Sequence, residues 1–213
     1  MNIKKLINEL IGTAVLLIAV VGSSYMASSL TTDKALSLLI VAAVTAAALA
    51  IIIKSGAAIS GAHYNPAVTI SSLLTSRIKV MDAVAYIVTQ IIGAIIGVLI
   101  ANAMFGETLI GSSSIVRSGS GQFIGEVVAT AGLVYLALTA TEKSVWKMIP
   151  LWIFAAYFFT SSTSFANPAV TIARIFTNAP AGIDSASVLG FIAAQIVGAL
   201  LVLIAIRKRS AHE

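Results

Sequence analysis

Apolar residues fall in long blocks along this chain, and polar residues collect between them. Crossing a bilayer takes roughly 20 apolar residues for about 30 Å of hydrocarbon. Six blocks qualify as spans: Leu6–Ala27, Leu36–Ile53, Ala83–Met104, Phe123–Ala140, Met148–Ser162 and Val188–Ile206. The fifth is short at its outer end and runs into the polar stretch Thr160–Ser164. Two further blocks, Ala67–Leu74 and Ala169–Ile175, are too short to cross. At 1.5 Å per residue they reach about 14 Å, roughly half the hydrocarbon thickness. The pattern predicts six membrane helices and two half-helices.

Both half-helices follow from one hexapeptide. Asn-Pro-Ala-Val-Thr-Ile occurs at Asn65–Ile70 and again at Asn167–Ile172. Asn is a favoured helix N-cap, and Pro at the first helical position has no N–H to leave unpaired and a φ already set for helix. Each copy therefore starts a helix after a non-helical stretch. Irregular backbone at membrane depth is tolerated where protein buries it or where it lines a water-filled cavity. Two such starts imply a pore or a binding site.

The repetition extends beyond the hexapeptide. Glu9 precedes Thr13 by four residues, and Glu126 precedes Thr130 by four. The segment from Tyr86 through Gln90 and Gly93 recurs from Phe191 through Gln195 and Gly198. Each repeat reads span, span, half-helix, span, over residues of about 1–105 and 121–210 in a single channel domain, 1–213. Three full spans are an odd number, so the second repeat is inverted relative to the first, which places the functional site near the midplane between broken helices.

Composition and charge fit this picture. The mean hydropathy is +1.03, and 10% of residues are charged against about 25% in a soluble domain. The basic start, Met1–Lys5, followed by an apolar run resembles a signal peptide, but that run is long enough to span and contains Glu9, so it reads as the first membrane helix. The excess of basic residues sits at the ends of apolar blocks, as topology rather than nucleic-acid binding requires. Lys4, Lys5, Lys54, Arg77, Lys79, Lys143, Lys147, Arg207, Lys208 and Arg209 fall on one side, and Lys34, Arg117 and Arg174 on the other. Ten against three puts both termini in the cytoplasm. Gly93 and Gly97 form a Gly-x-x-x-Gly pair suited to close helix packing.

The segment Ser60-Gly-Ala-His63-Tyr-Asn65-Pro-Ala-Val-Thr69, the second Asn-Pro-Ala, the paired Glu9 and Glu126, and the two Gln-x-x-Gly segments resemble the aquaporin and aquaglyceroporin (major intrinsic protein) superfamily over the whole chain. The resemblance implies an all-α membrane protein, a bundle of six tilted helices and two re-entrant half-helices. It also implies a homotetramer with one pore per subunit in the cell (plasma or inner) membrane. Asn65, Pro66 and Ala67 would then meet Asn167, Pro168 and Ala169 at the membrane centre. The asparagine amides would aim into the pore beside two half-helix N-termini, each carrying about half a positive charge.

Glu9 and Glu126 are ionisable residues inside spans, hence functional candidates. They could couple protons, but their duplicated placement favours bracing of loops whose N–H groups lack helix partners. Gln90 and Gln195 would serve similar loop-bracing bonds. His63 braces the cytoplasmic loop or lines its vestibule; His212 is the other histidine, in the tail, so no metal cluster forms.

The family pattern has Arg directly after the second Asn-Pro-Ala; here that position is Val170. The filter position in span two is Thr45 rather than an aromatic, and the position three before Asn167 is Ser164. The span-five position is Tyr157, Phe158 or Ser161. Arg174, one turn beyond Val170, either sits in the outer vestibule or ends the half-helix and snorkels to the surface. A wide, hydroxylated, uncharged filter suits water together with neutral solutes such as glycerol, urea and undissociated metalloid hydroxides. Val at this position resembles a bacterial branch associated with arsenic resistance, whose solute would be arsenite. The alternatives are a water-selective aquaporin and an ion-coupled secondary transporter. The chain has no cysteine, no nucleophile–base set and no phosphate-binding loop, so neither an enzyme nor a cofactor is expected.

Overall fold

In a computed structural model, residues 2–210 are described, apart from the side chains of Arg209 and Ser210. Met1 and His212 lie outside the described residues. Among the described residues, eight α-helices follow in order: α1 (Ile3–Leu30), α2 (Lys34–Ser60), α3 (Pro66–Leu74), α4 (Val80–Met104), α5 (Ser120–Thr139), α6 (Glu142–Phe159), α7 (Pro168–Ala173) and α8 (Val188–Ser210). A 3₁₀ turn, Arg174–Phe176, extends α7, and another, Ser185–Ser187, leads into α8.

Local chemistry sets the helix starts. Asp33 accepts from the N–H groups of Ala35 and Leu36 at the head of α2. Asn65 and Asn167 accept from Ala67 and Ala169 in the same way, each followed by Pro at the first helical position.

Two spans differ from the hydropathy reading. The α2 helix continues past Lys54 to Ser60, because the Asn8 side chain of α1 donates to Gly56 O and Ser60 Oγ and holds these last turns. The α6 helix starts at Glu142 rather than Met148 and stops at Phe159. Glu142, Lys143 and Lys147 had masked its first turns; the other five spans are long and apolar enough to cross a membrane on composition alone.

The α1 helix packs between α2 and α4, and α5 packs between α6 and α8. These two triplets meet through α2 and α6. Small residues let the helices close. A Cβ on Gly93 would collide with the backbone carbonyl of Leu10 in α1, and one on Gly198 would lie 2.5 Å from that of Val127 in α5. Gly93→Ala is expected to cost about 1–3 kcal/mol by forcing α1 and α4 apart, read as a lower thermal midpoint in detergent; an unchanged midpoint would show that the crossing can yield.

Arg77 donates to Leu138 O at the end of α5 (2.8 Å), and Arg207 donates to Leu74 O at the end of α3 (3.1 Å). These bonds, with those of Asn8, define one face of the bundle, which carries the start of α1 and the end of α8. The opposite face is covered by residues 105–119, which bond along the chain that follows α7 through Gly111 N to Phe176 O and Ser113 N to Ile175 O.

Candidate pore and outer filter

The stretch before each half-helix has the same unusual backbone. Ala62 and Tyr64 have φ of 51° and 47°, and Ser164 and Ala166 have φ of 51° and 49°. These positions are three and one before each asparagine. Left-handed backbone at non-glycine residues costs of order 1–3 kcal/mol each and persists only where the surroundings enforce it.

The enforcing groups are the two carboxylates. Glu9 accepts from the N–H of His63 (3.0 Å) and Tyr64 (2.7 Å), and Glu126 from that of Phe165 (2.8 Å) and Ala166 (2.9 Å). Both are fully buried. Ser60 adds a 2.5 Å bond to Glu9. Gln90 and Gln195 make no hydrogen bond to the loops. Each instead donates to its glutamate and to the threonine one turn into the half-helix, Thr69 or Thr171. Each glutamine therefore links carboxylate and half-helix, a correction to the direct bracing expected from sequence.

The two loops clasp each other. Asn65 Nδ2 donates to Ala166 O (2.8 Å), and Asn167 Nδ2 donates to Tyr64 O (2.9 Å). Each amide thus spends one hydrogen on the opposite loop. The second remains for the lumen, since both asparagines line the central cavity. This reciprocal bond was not visible in the sequence.

The cavity has a volume of about 240 Å³ and runs from Ser72 and Arg77, past His63 and the two asparagines, to Val170 and Arg174. His63 does two things there. It lines the cavity, and its Nδ1 lies 3.1 Å from Thr69 Oγ1.

Thr45, Ser164 and Val170 all line the far end. Of the three span-five candidates, Tyr157 joins them; its hydroxyl lies 3.2 Å from Thr45 Oγ1. Phe158 and Ser161 point outward and are exposed. An aromatic side chain is therefore present, but on α6 rather than α2.

Arg174 does not snorkel. It is 3% exposed, lines the cavity, donates from Nε to Ala181 O, and lies with Cζ 3.4 Å from the centre of the Phe165 ring. Arg117, which sequence reasoning had used only for topology, is the second cation here. It donates to Gly182 O (2.9 Å) and Pro180 O (3.1 Å), with Cζ 5.1 Å from the same ring. Its position in a long connection carried no signal.

Asn102 and Tyr25 were missed too. Asn102 donates to Phe176 O and Leu109 O and accepts from Thr177 and Tyr25, anchoring the chain after α7 to α4 and α1.

The model of the major intrinsic protein family matches residues 1–166. The chain belongs to the major intrinsic protein family. It is 41% identical over 207 residues to aquaglyceroporin AqpS of Rhizobium meliloti strain 1021, covering 96% of this chain and 89% of that protein. Rat aquaporin-1 is 39% identical over 90 residues, which are 40% of this chain and 34% of that one. The fold matches the solved aquaglyceroporin of Plasmodium falciparum with a TM-score of 0.75 at 20% identity, over 94% and 93% of the two chains. This is a multi-pass membrane channel that passes water and small solutes passively, and not an enzyme.

Proposed function

We propose that this channel passes water together with neutral solutes larger than water. Its outer filter consists of Thr45, Tyr157, Ser164 and Val170, with Arg174 one turn further out. The observation carrying this reading is the placement of charge. The residue directly after the second Asn-Pro-Ala is an uncharged valine on the lumen, while the guanidinium beyond it is drawn back against Phe165 and Ala181 O. Glycerol, urea and undissociated metalloid hydroxides such as arsenite fit an aperture of this kind, and the Rhizobium relative is named an aquaglyceroporin.

The midplane adds two half-helix N-termini and two asparagine amides, positive potential and donors for a passing oxygen. The matched bonds of Glu9 and Glu126, of Asn65 and Asn167, and of Gln90 and Gln195 support two repeats of about 1–105 and 121–210 within one channel domain. The ten-to-three division of Lys and Arg supports both termini lying in the cytoplasm, with the channel in the plasma or inner membrane. The same reading takes the channel as a homotetramer, as the family resemblance implies.

One observation favours a second reading. Tyr157 brings an aromatic ring to the filter, and with Thr45 it could close the aperture to all but water. Light scattering from reconstituted vesicles separates the two, comparing osmotic water flux with uptake of glycerol, urea and neutral arsenite. Uptake of the larger solutes is expected alongside water. Water flux alone would make this a water-selective channel despite Val170.

A further inference from the structure

Three consecutive carbonyls in the chain that follows α7 hold two arginines. Arg117, on the connection before α5, donates from Nε to Gly182 O (2.9 Å) and from a terminal nitrogen to Pro180 O (3.1 Å). Ala181 O, between them, accepts from Nε of Arg174. Both guanidinium groups lie against the Phe165 ring, Arg174 at 3.4 Å and Arg117 at 5.1 Å from Cζ to its centre. That ring is itself set edge-on against Phe191, with centres 5.0 Å apart. Arg174 lines the cavity, and Arg117 does not.

Attraction does not explain this pairing. The two cations repel each other, and Glu126 offsets the charge of both. What Arg117 supplies is geometry. Its planar fork presents donors in fixed directions, and they take the carbonyls on either side of Ala181. The peptide units that flank Ala181 are thereby held, and with them the direction of the carbonyl that retains Arg174.

We infer that Arg117 is a positioning residue that sets solute specificity without touching the solute. By holding the Pro180–Gly182 turn it keeps Arg174 back, and so leaves the width beside Val170 open to solutes larger than water. Arg174 is 3% exposed. With its other sides packed, the open space beside a released guanidinium is the lumen that it lines, near Thr45, Tyr157, Ser164 and Val170. The turn has further anchors, Ala181 N to Ser24 Oγ (2.9 Å) and Gly182 N to Ala179 O (2.8 Å). Side-chain variants of Arg117 are therefore expected to fold. The inference deepens the filter reading above and rests on it, and its test is arranged to fail separately.

The test is a double-mutant cycle on the full chain in vesicles: wild type, Arg117→Met, Arg174→Leu and the two combined. Each is read as the ratio of glycerol uptake to osmotic water flux. Methionine fills the space along Phe165 but donates nothing, so Arg117→Met is expected to lower the ratio several-fold. In the Arg174→Leu background the same change should leave the ratio where that background sets it, because no guanidinium remains to be released. A general loosening of the outer face would instead move the ratio in both backgrounds. Arg117→Lys keeps a charge but loses the fork that spans two carbonyls, so its ratio should fall by less. It replaces Arg117→Met, and Arg174→Gln replaces Arg174→Leu, wherever the first choice yields no channel. An unchanged or raised ratio on replacing Arg117, or an equal change in both backgrounds, overturns the inference. If wild type passes water alone, the wide-filter reading fails by itself. The positioning role is then read in water flux per molecule, which Arg117→Met should lower only while Arg174 is present; equal water flux would overturn it.

Discussion

Val170→Arg is expected to cut glycerol uptake at least about tenfold, the equivalent of about 1.4 kcal/mol in the barrier, with a much smaller loss of water flux. Val170 and Arg174 are four residues apart on one short helical stretch, and both line the cavity. A guanidinium at 170 would fill the width beside Thr45, Tyr157 and Ser164 that the valine leaves open. Its Cβ would also stand about 5–6 Å from that of Arg174, the next charged residue on the same face. With an effective dielectric of about 20, two like charges at that distance repel by on the order of 3 kcal/mol, and among the described residues no carboxylate lines the lumen. The single variant is therefore expected to lose stability as well as glycerol.

The double variant Val170→Arg/Arg174→Val separates the two effects. It moves the cation inward without adding one, so the like-charge cost is removed, at the loss of the Arg174 contacts with Ala181 O and Phe165, while glycerol stays excluded. Uptake of glycerol and water by the double variant, beside its thermal midpoint in detergent, reads both outcomes. Undiminished glycerol uptake would mean that the limiting aperture lies elsewhere in the channel.

That experiment depends on residues that differ in how well the sequence exposes them. The half-helices were legible because Asn and Pro act locally, each through its own backbone, and because the motif occurs twice. Glu9, Glu126 and the two glutamines were legible as a duplicated pattern, although the actual partners of the glutamines were not. Thr45, Ser164 and Val170 could be placed by counting from an asparagine along an unbroken segment.

Tyr157 could not be placed by counting, because the chain between α6 and Asn167 has its own length; only the turn at Thr160 shows which face is inward. The clasp between Asn65 and Ala166 joins residues 101 apart and depends on left-handed backbone at alanine, serine and tyrosine, where composition gives no hint. Arg117 lies in a connection whose course is set by pairing with the chain after α7, a tertiary fact. The first turns of α6 were hidden by three charged residues that a hydropathy reading takes as the end of a span.

Removing either buried carboxylate is expected to abolish the folded channel. Glu9→Ala strands the N–H groups of His63 and Tyr64, the Ser60 hydroxyl and an amide hydrogen of Gln90. Glu126→Ala strands those of Phe165 and Ala166 and an amide hydrogen of Gln195. Each buried donor left unpaired costs about 1–3 kcal/mol. Three or four of them together rival the roughly 5–15 kcal/mol that holds a typical native protein. The loss falls where the backbone is already held in left-handed conformations, and Tyr64 O and Ala166 O lose the carboxylate bonds that help position them to receive the two asparagine amides. The half-helices then lose their mutual clasp, and the lumen loses its shape.

Glutamine in place of either glutamate keeps one acceptor oxygen but turns an NH₂ toward an N–H, so an intermediate defect is expected. The measurements are membrane yield, thermal midpoint in detergent, and water flux per molecule. Normal yield with normal flux in Glu126→Ala would remove the bracing role. Normal yield with solute flux that has lost a response to a proton gradient would instead identify a coupled transporter. The expected pattern is different: yield and midpoint fall together for both glutamates, and whatever protein survives conducts without regard to the gradient.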